Sequence, residues 1–317
     1  MNFKVDKFVL AIIGVVIFAY VYPDFGNGTL PLDTLSSIGV SLIFFFYGLK
    51  LSPKQIKEGL QNWKLHIIVQ ASTFILFPLL VLSAYPFIPK SSQTLWLGFL
   101  FLSALPSTVS SSVVMVSIAK GNIPAAIFNA SISGLIGIVL TPLWMSAFLS
   151  QTSTDYNLIE VYQKLLLEIL IPIILGIGLQ RFLGKYAQIY SKQLTLFDKS
   201  VILLIIYKSF SRSFLNKVFN NVDTLDLILI FCLAVILFYI VYFVIGVITK
   251  QLSFNTEDTI TAQYCGTKKS LVHGTVFSKI LFQNASFLGI ILLPLMMFHA
   301  FQILAISVMA SKQSRRN

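Results

Sequence analysis

The stretch "TAQYCGTKKSLVHGT" runs from Thr261 to Thr275 and sets two adjacent lysines, a histidine, two glycines and several hydroxyls where a membrane-spanning helix is expected. An ionisable side chain at membrane depth is rare and marks function by default. In a regular helix Lys268 and Lys269 would point about 100° apart. Only an unwound segment can turn both toward one cavity.

The rest of the chain supplies the membrane. Of its 317 residues, 56% are apolar and only 11% are charged, with 28 phenylalanines. Soluble domains carry roughly 25% charged residues, so most of this chain faces lipid and its +11 charge is not a nucleic-acid signal. The first apolar stretch is followed by "YPDFGNGTLP", which offers no small-residue cleavage site, so it reads as a span and not a signal peptide. Cys232 and Cys265 lie far apart and suggest no disulfide framework. No metal-ligand spacing, phosphate loop or nucleophile–base pair is recognisable, so neither an enzyme nor a cofactor is expected.

About 20 apolar residues cross a bilayer as a helix. On that measure ten spans are expected, at 8–23, 32–51, 64–87, 94–119, 123–149, 161–183, 195–213, 225–249, 257–282 and 285–309. With the N-terminus inside, fifteen Lys and Arg fall in inside regions and six outside, and Lys268 and Lys269 complete the 23. That bias places both termini in the cytoplasm of a multi-pass protein, the bacterial inner or plasma membrane being the expected location.

Ten spans divide into five plus five. "FNASISGLIGIVLTPLW" (Phe128–Trp144) echoes "FQNASFLGIILLPLM" (Phe282–Met296), pairing Asn129 with Asn284 and Pro142 with Pro294. An offset of five spans reverses orientation, which makes this an inverted-topology repeat, with halves 1–154 and 155–317 in a single transmembrane domain 1–317. Such repeats mark secondary transporters whose sites lie at broken helices near the midplane. Each echo follows an irregular polar span: "SALPSTVSSSVVMVS" (Ser103–Ser117) in the first half and the opening stretch in the second. Pro106 removes a helix hydrogen bond, and the serines and Thr108 offer replacement partners. The alternative is that these hydroxyls only let helices pack closely. Two such clusters at corresponding places favour broken helices.

With these residues assembled, the chain resembles the bile acid:sodium symporter family, in the branch of solute carrier family 10 member 7 and its bacterial relatives. The likeness rests on "FFFYGLKLS" (44–52), "KLHIIVQASTFILFP" (64–78), "PSTVSSSVV" with "KGNIPAAIFNASISGLIGIVLTPL", and "CGTKKSLVHG" with "KILF". It implies an all-α integral membrane protein of ten transmembrane helices, arranged as two inverted five-helix repeats. Spans four and nine are then broken and cross, within a core of spans 3–5 and 8–10 that works against a panel of spans 1, 2, 6 and 7.

The better-known branch holds sodium with hydroxyls and an amide on spans four and five and a carboxylate on span nine. Carried over, the polar pair of span four falls on Ser111 and Ser112, which would be degraded sodium sites here. The span-five hydroxyl positions fall on Ala126 and Ala130, and the acidic position falls near Tyr264. The following Gln-Asn pair falls on Lys268 and Lys269, and a span-three glutamine falls near Thr73, with Gln70 one turn away. Hard cations take oxygen ligands. A lysine about 4 Å from sodium would instead cost on the order of 4 kcal/mol at intermediate dielectric. Sodium coupling is therefore not carried over: a lysine or a proton in its place is one reading, a retained sodium ion the alternative, and no confident metal site remains.

The candidate substrate- and ion-binding residues are Ser111, Ser112, Lys268, Lys269, Thr267, Asn129, Asn284, Thr73, Gln70, Tyr264 and His273; no catalytic residue is expected. One lysine snorkelling toward water, or His273 bonded between helices, is the plainer alternative. Glu168, the one acidic residue well away from the ends of a span, is expected to pack on the panel. The function expected is secondary active transport of a small organic anion by alternating access. The alternative is a non-transporting membrane regulator, for example of calcium or ion homeostasis, that retains the fold. Expected partners are the lipid bilayer and the anion, with no nucleic acid.

Overall fold

The computed structural model describes residues 7–25, 31–51, 62–89, 92–108, 110–152, 157–282 and 285–315, and among them there is no strand. In chain order the helices are α1 (Lys7–Val21), α2 (Leu32–Lys50), α3 (Trp63–Ala71), α4 (Phe77–Ser83), α5 (Gln93–Ala104), α6 (Ser110–Ile118) and α7 (Ile123–Thr152). They continue as α8 (Leu158–Leu165), α9 (Ile171–Ile189), α10 (Ser191–Leu215), α11 (Thr224–Gln251), α12 (Thr256–Thr267), α13 (Leu271–Leu281) and α14 (Leu288–Gln313).

Six helical stretches are long and apolar enough to cross a membrane: Leu32–Lys50, Trp63–Phe87, Ile123–Leu149, Leu158–Ile189, Thr224–Gln251 and Leu288–Gln313. The segments expected at 94–119 and 257–282 are each split into two shorter helices, α5 with α6 and α12 with α13. Helix α1 is 15 residues long. Helix α10 is long but carries Lys192, Asp198, Lys199, Lys208 and Arg212. Large apolar side chains such as Leu225, Ile228, Leu229 and Phe243 stand exposed along α11, as lipid-facing surface does. The chain is an all-helical integral membrane protein.

Among the described residues two π-turns widen the helical register, and a proline follows each. A π-turn at Ser72–Leu76 joins α3 to α4, whose second residue is Pro78, and another at Leu166–Leu170 leads into α9 and Pro172. Proline offers no N–H and crowds the preceding turn, so widening the turn relieves the clash.

The described residues cluster in two compact units. The first comprises Met1–Ser52, Asn157–Asp223 and Thr275–Leu292. Within it α2 and α9 pack backbone to backbone: a Cβ on Gly48 would collide with the Ile173 carbonyl, and one on Gly176 with the Phe45 carbonyl. Small residues permit such approach where helices must gain contact without a hydrophobic drive.

The second unit comprises Pro53–Tyr156, Thr224–Gly274 and Leu293–Asn317. Three of its helices are tied at their N-termini by one carboxylate. Asn62, Asn122 and Asn255 accept from backbone N–H groups at the starts of α3, α7 and α12. Asn62 and Asn122 in turn donate to Asp258 Oδ2 (2.6 Å) and Oδ1 (2.8 Å). Side-chain capping satisfies donors that a helix start leaves free, and here the caps share an anchor.

Candidate functional site

Helix α5 stops at Ala104 because Pro106 has no N–H to continue it, and four consecutive carbonyls are left to find donors. Each finds one inside the second unit. Ser103 O and Leu105 O accept from Lys269 Nζ (2.6 and 2.9 Å), Ala104 O from Thr141 Oγ1 (2.8 Å), and Pro106 O from Ser270 N (2.9 Å). Ser107 donates its hydroxyl to Cys265 O (2.6 Å), while its N–H donates to Ser133 Oγ (2.9 Å). The break between α5 and α6 is thereby joined directly to the break between α12 and α13.

Lys269 is the centre of this joint. Its third acceptor is Thr73 O at 2.7 Å, inside the first π-turn. Pro78 lies five residues on and has no N–H to offer Thr73, which leaves that carbonyl free; Phe74 O, four residues before Pro78, accepts from Trp144 Nε1 (2.8 Å). Three carbonyl acceptors match the three donors of an ammonium group. Phe77 closes the remaining side, its ring centroid 4.2 Å from Nζ. The side chain is 0% exposed.

The unwound peptide of Lys269 is held as well. Gln302 on α14 accepts from Lys269 N (2.9 Å) and donates to Lys269 O (2.8 Å), and its Nε2 lies 3.0 Å from His299 Nδ1.

Lys268 points elsewhere. Its Nζ donates to Ser111 Oγ (2.8 Å), which leads to Thr108 Oγ1 (3.0 Å) and on to Ser112 Oγ (2.7 Å). Among the described residues this is the one acceptor the ammonium meets. The extended backbone at residue 268 (φ −86°, ψ 143°) lets the neighbouring lysines diverge.

The other expected site residues fall in different places. Gln70 donates to Asn129 O and Oδ1 (3.2 Å each), and Asn129 Nδ2 lies 2.9 Å from His66 Nδ1, forming a separate polar knot between α3 and α7. Thr73 contributes its carbonyl, its hydroxyl bonding Val69 O (2.7 Å). Thr267 Oγ1 bonds Gln263 O (2.6 Å), and Tyr264 donates to Gln313 Oε1 (2.7 Å). His273 Nδ1 lies 2.9 Å from Ser270 Oγ at the start of α13. Asn284 lies outside the described residues. Sequence reasoning missed Gln302, Phe77 and the carbonyl of Ser103, whereas Ser107 is one of the hydroxyls it assigned to the break at Pro106. Only Gln302, an amide three residues from His299 in an apolar helix, gave a signal that could have been read.

The SBF-like CPA transporter family matches residues 6–315 of this chain. The chain belongs to that family. It is 36% identical over 316 residues to "Uncharacterized protein PA2026" of Pseudomonas aeruginosa, covering 99% of this chain and 95% of that protein. It is 36% identical over 312 residues to "Putative symporter YfeH" of Escherichia coli, covering 98% and 93%. Identity to "Sodium/bile acid cotransporter 7" of Danio rerio is 30% over 313 residues, covering 96% and 92%. The resemblance to bile acid:sodium symporters is thus borne out at the level of family.

Proposed function

We propose that this chain is a secondary active transporter of a small organic anion, working by alternating access, in which the Lys269 ammonium takes the place of the family's bound sodium. One observation carries the reading: a fully buried ammonium holds three carbonyls at the junction of two broken helices. A cation at that point would face the positive charge of Lys269 instead of oxygen ligands. Lys268, beside the hydroxyl chain of Ser111, Thr108 and Ser112, is the residue assigned to the anion or to a proton.

Several features support ten spans in two inverted repeats, 1–154 and 155–317, within one transmembrane domain. In each half a split helix (α5 with α6, α12 with α13) precedes a long continuous helix that carries an internal proline, Pro142 in α7 and Pro294 in α14. The compact units group spans 3–5 with span 8, the first part of span 9 and most of span 10, while the rest of spans 9 and 10 clusters with spans 1, 2, 6 and 7. Both termini are assigned to the cytoplasm on the Lys and Arg bias.

The test is uptake of labelled organic anions into proteoliposomes, with sodium and proton gradients imposed separately. Accumulation driven without sodium and lost in Lys268→Gln supports the proposal. Strict dependence on a sodium gradient overturns the coupling. A protein that moves no anion under either gradient would be the regulator.

A further inference from the structure

We propose a second anion-binding site, built wholly from the first unit and separate from the crossover lysines, that takes a small organic dianion such as a dicarboxylate. The site is a cavity of about 320 Å³, large enough for a small organic molecule. Four cationic side chains line it, Lys164, Lys208, Arg212 and Lys279, against two carboxylates, Asp33 and Glu168. The lining therefore carries a surplus of two positive charges.

The charges are unequally engaged. Lys208 pairs with Asp33, and Lys279 donates to Ser37 Oγ (2.5 Å) while lying 3.6 Å from Glu168 Oε2. Lys164 is paired outside the lining, with Glu160 one helical turn back (2.7 Å). Arg212 has no carboxylate partner among the described residues, although its planar fork is suited to bidentate recognition of one. Glu168 Oε2 is buried and accepts no hydrogen bond among the described residues, so a ligand hydroxyl would find an acceptor there.

The remaining wall combines the hydroxyls of Ser36, Ser37 and Ser209 with an apolar part from Ile205, Ile280, Phe282, Ala285 and Leu288. A strongly hydrated inorganic ion gains little from such a wall, whereas the carbon skeleton of an organic acid is desolvated by it. These residues come from α2, α8 with the π-turn after it, α10, α13, the connection that follows it and the start of α14, so no local stretch of sequence reveals the site.

The experiment is equilibrium dialysis of the purified full-length protein against labelled succinate, with labelled sulfate in a parallel arm. The expected result is saturable succinate binding, weakened about tenfold or more by Arg212→Gln and abolished by Arg212→Glu, with sulfate markedly weaker. Arg212 is exposed, so both variants should fold; unchanged thermal denaturation verifies it. Absence of saturable succinate binding, or binding indifferent to both substitutions, overturns the site. Sulfate binding as tight as succinate overturns its assignment to an organic anion. None of these readouts requires transport, so they stand apart from the transport proposal.

Discussion

Gln302 grips the Lys269 peptide twice, accepting from its N–H at 2.9 Å and donating to its C=O at 2.8 Å. One side-chain amide thereby replaces the helical partners that this peptide loses where α12 gives way to α13. Gln302→Leu should remove both bonds and destabilise the protein by about 2–6 kcal/mol, since each buried group left unpaired costs about 1–3 kcal/mol. Gln302→Glu keeps the acceptor and loses the donor, so its thermal midpoint should fall between wild type and Gln302→Leu.

The adjacent lysines should separate cleanly by measurement. Lys269→Met leaves the carbonyls of Thr73, Ser103 and Leu105 without their donor. A loss on the order of 3–6 kcal/mol follows, seen as a fall on the order of 10 °C in thermal midpoint. Lys268→Gln gives up a single bond to Ser111, so its midpoint should shift by no more than a few degrees while anion uptake collapses. Equal thermal losses in both variants would contradict the division of roles.

The breaks themselves were legible in the sequence. Pro106 among serines and a lysine pair beside Gly266 are local signals of failed helix, and both breaks lie where those residues stand. Which lysine held the joint was not legible. The answer depends on carbonyls freed by Pro78 and Pro106, far off in the chain, and on a backbone turned extended at residue 268. The charged cavity was hidden for a similar reason: Lys164, Lys208, Arg212 and Lys279 each read singly as a charge near a loop. The knot of Asn62 and Asn122 on Asp258 joins residues 196 and 136 positions apart, beyond any periodicity.

That knot has its own consequence. Asp258→Ala removes the acceptor of both asparagines, each a hydrogen bond to a charged group worth about 1.5–3 kcal/mol. The starts of α3 and α7 should loosen together, read as faster amide hydrogen exchange at Leu65 and Ala125. Loosening at one helix alone would show that the carboxylate does not couple them.

Orientation can be checked by labelling. Single cysteines at Asp24 and Asn157 should react with an impermeant maleimide from outside intact cells, and those at Gln188 and Ser253 only after permeabilisation. All four positions are exposed. The reversed pattern would invert the topology assigned from the Lys and Arg bias.

The claim that an ammonium stands where sodium would bind is tested most directly by the thermal midpoint of the purified wild-type protein in sodium chloride against potassium chloride at equal ionic strength. The Lys269 geometry predicts midpoints that agree to within about 1 °C, because a ligand stabilises only a state that binds it. A saturable rise with sodium alone, retained in Lys268→Gln and Lys269→Gln, would contradict the account and restore a sodium site.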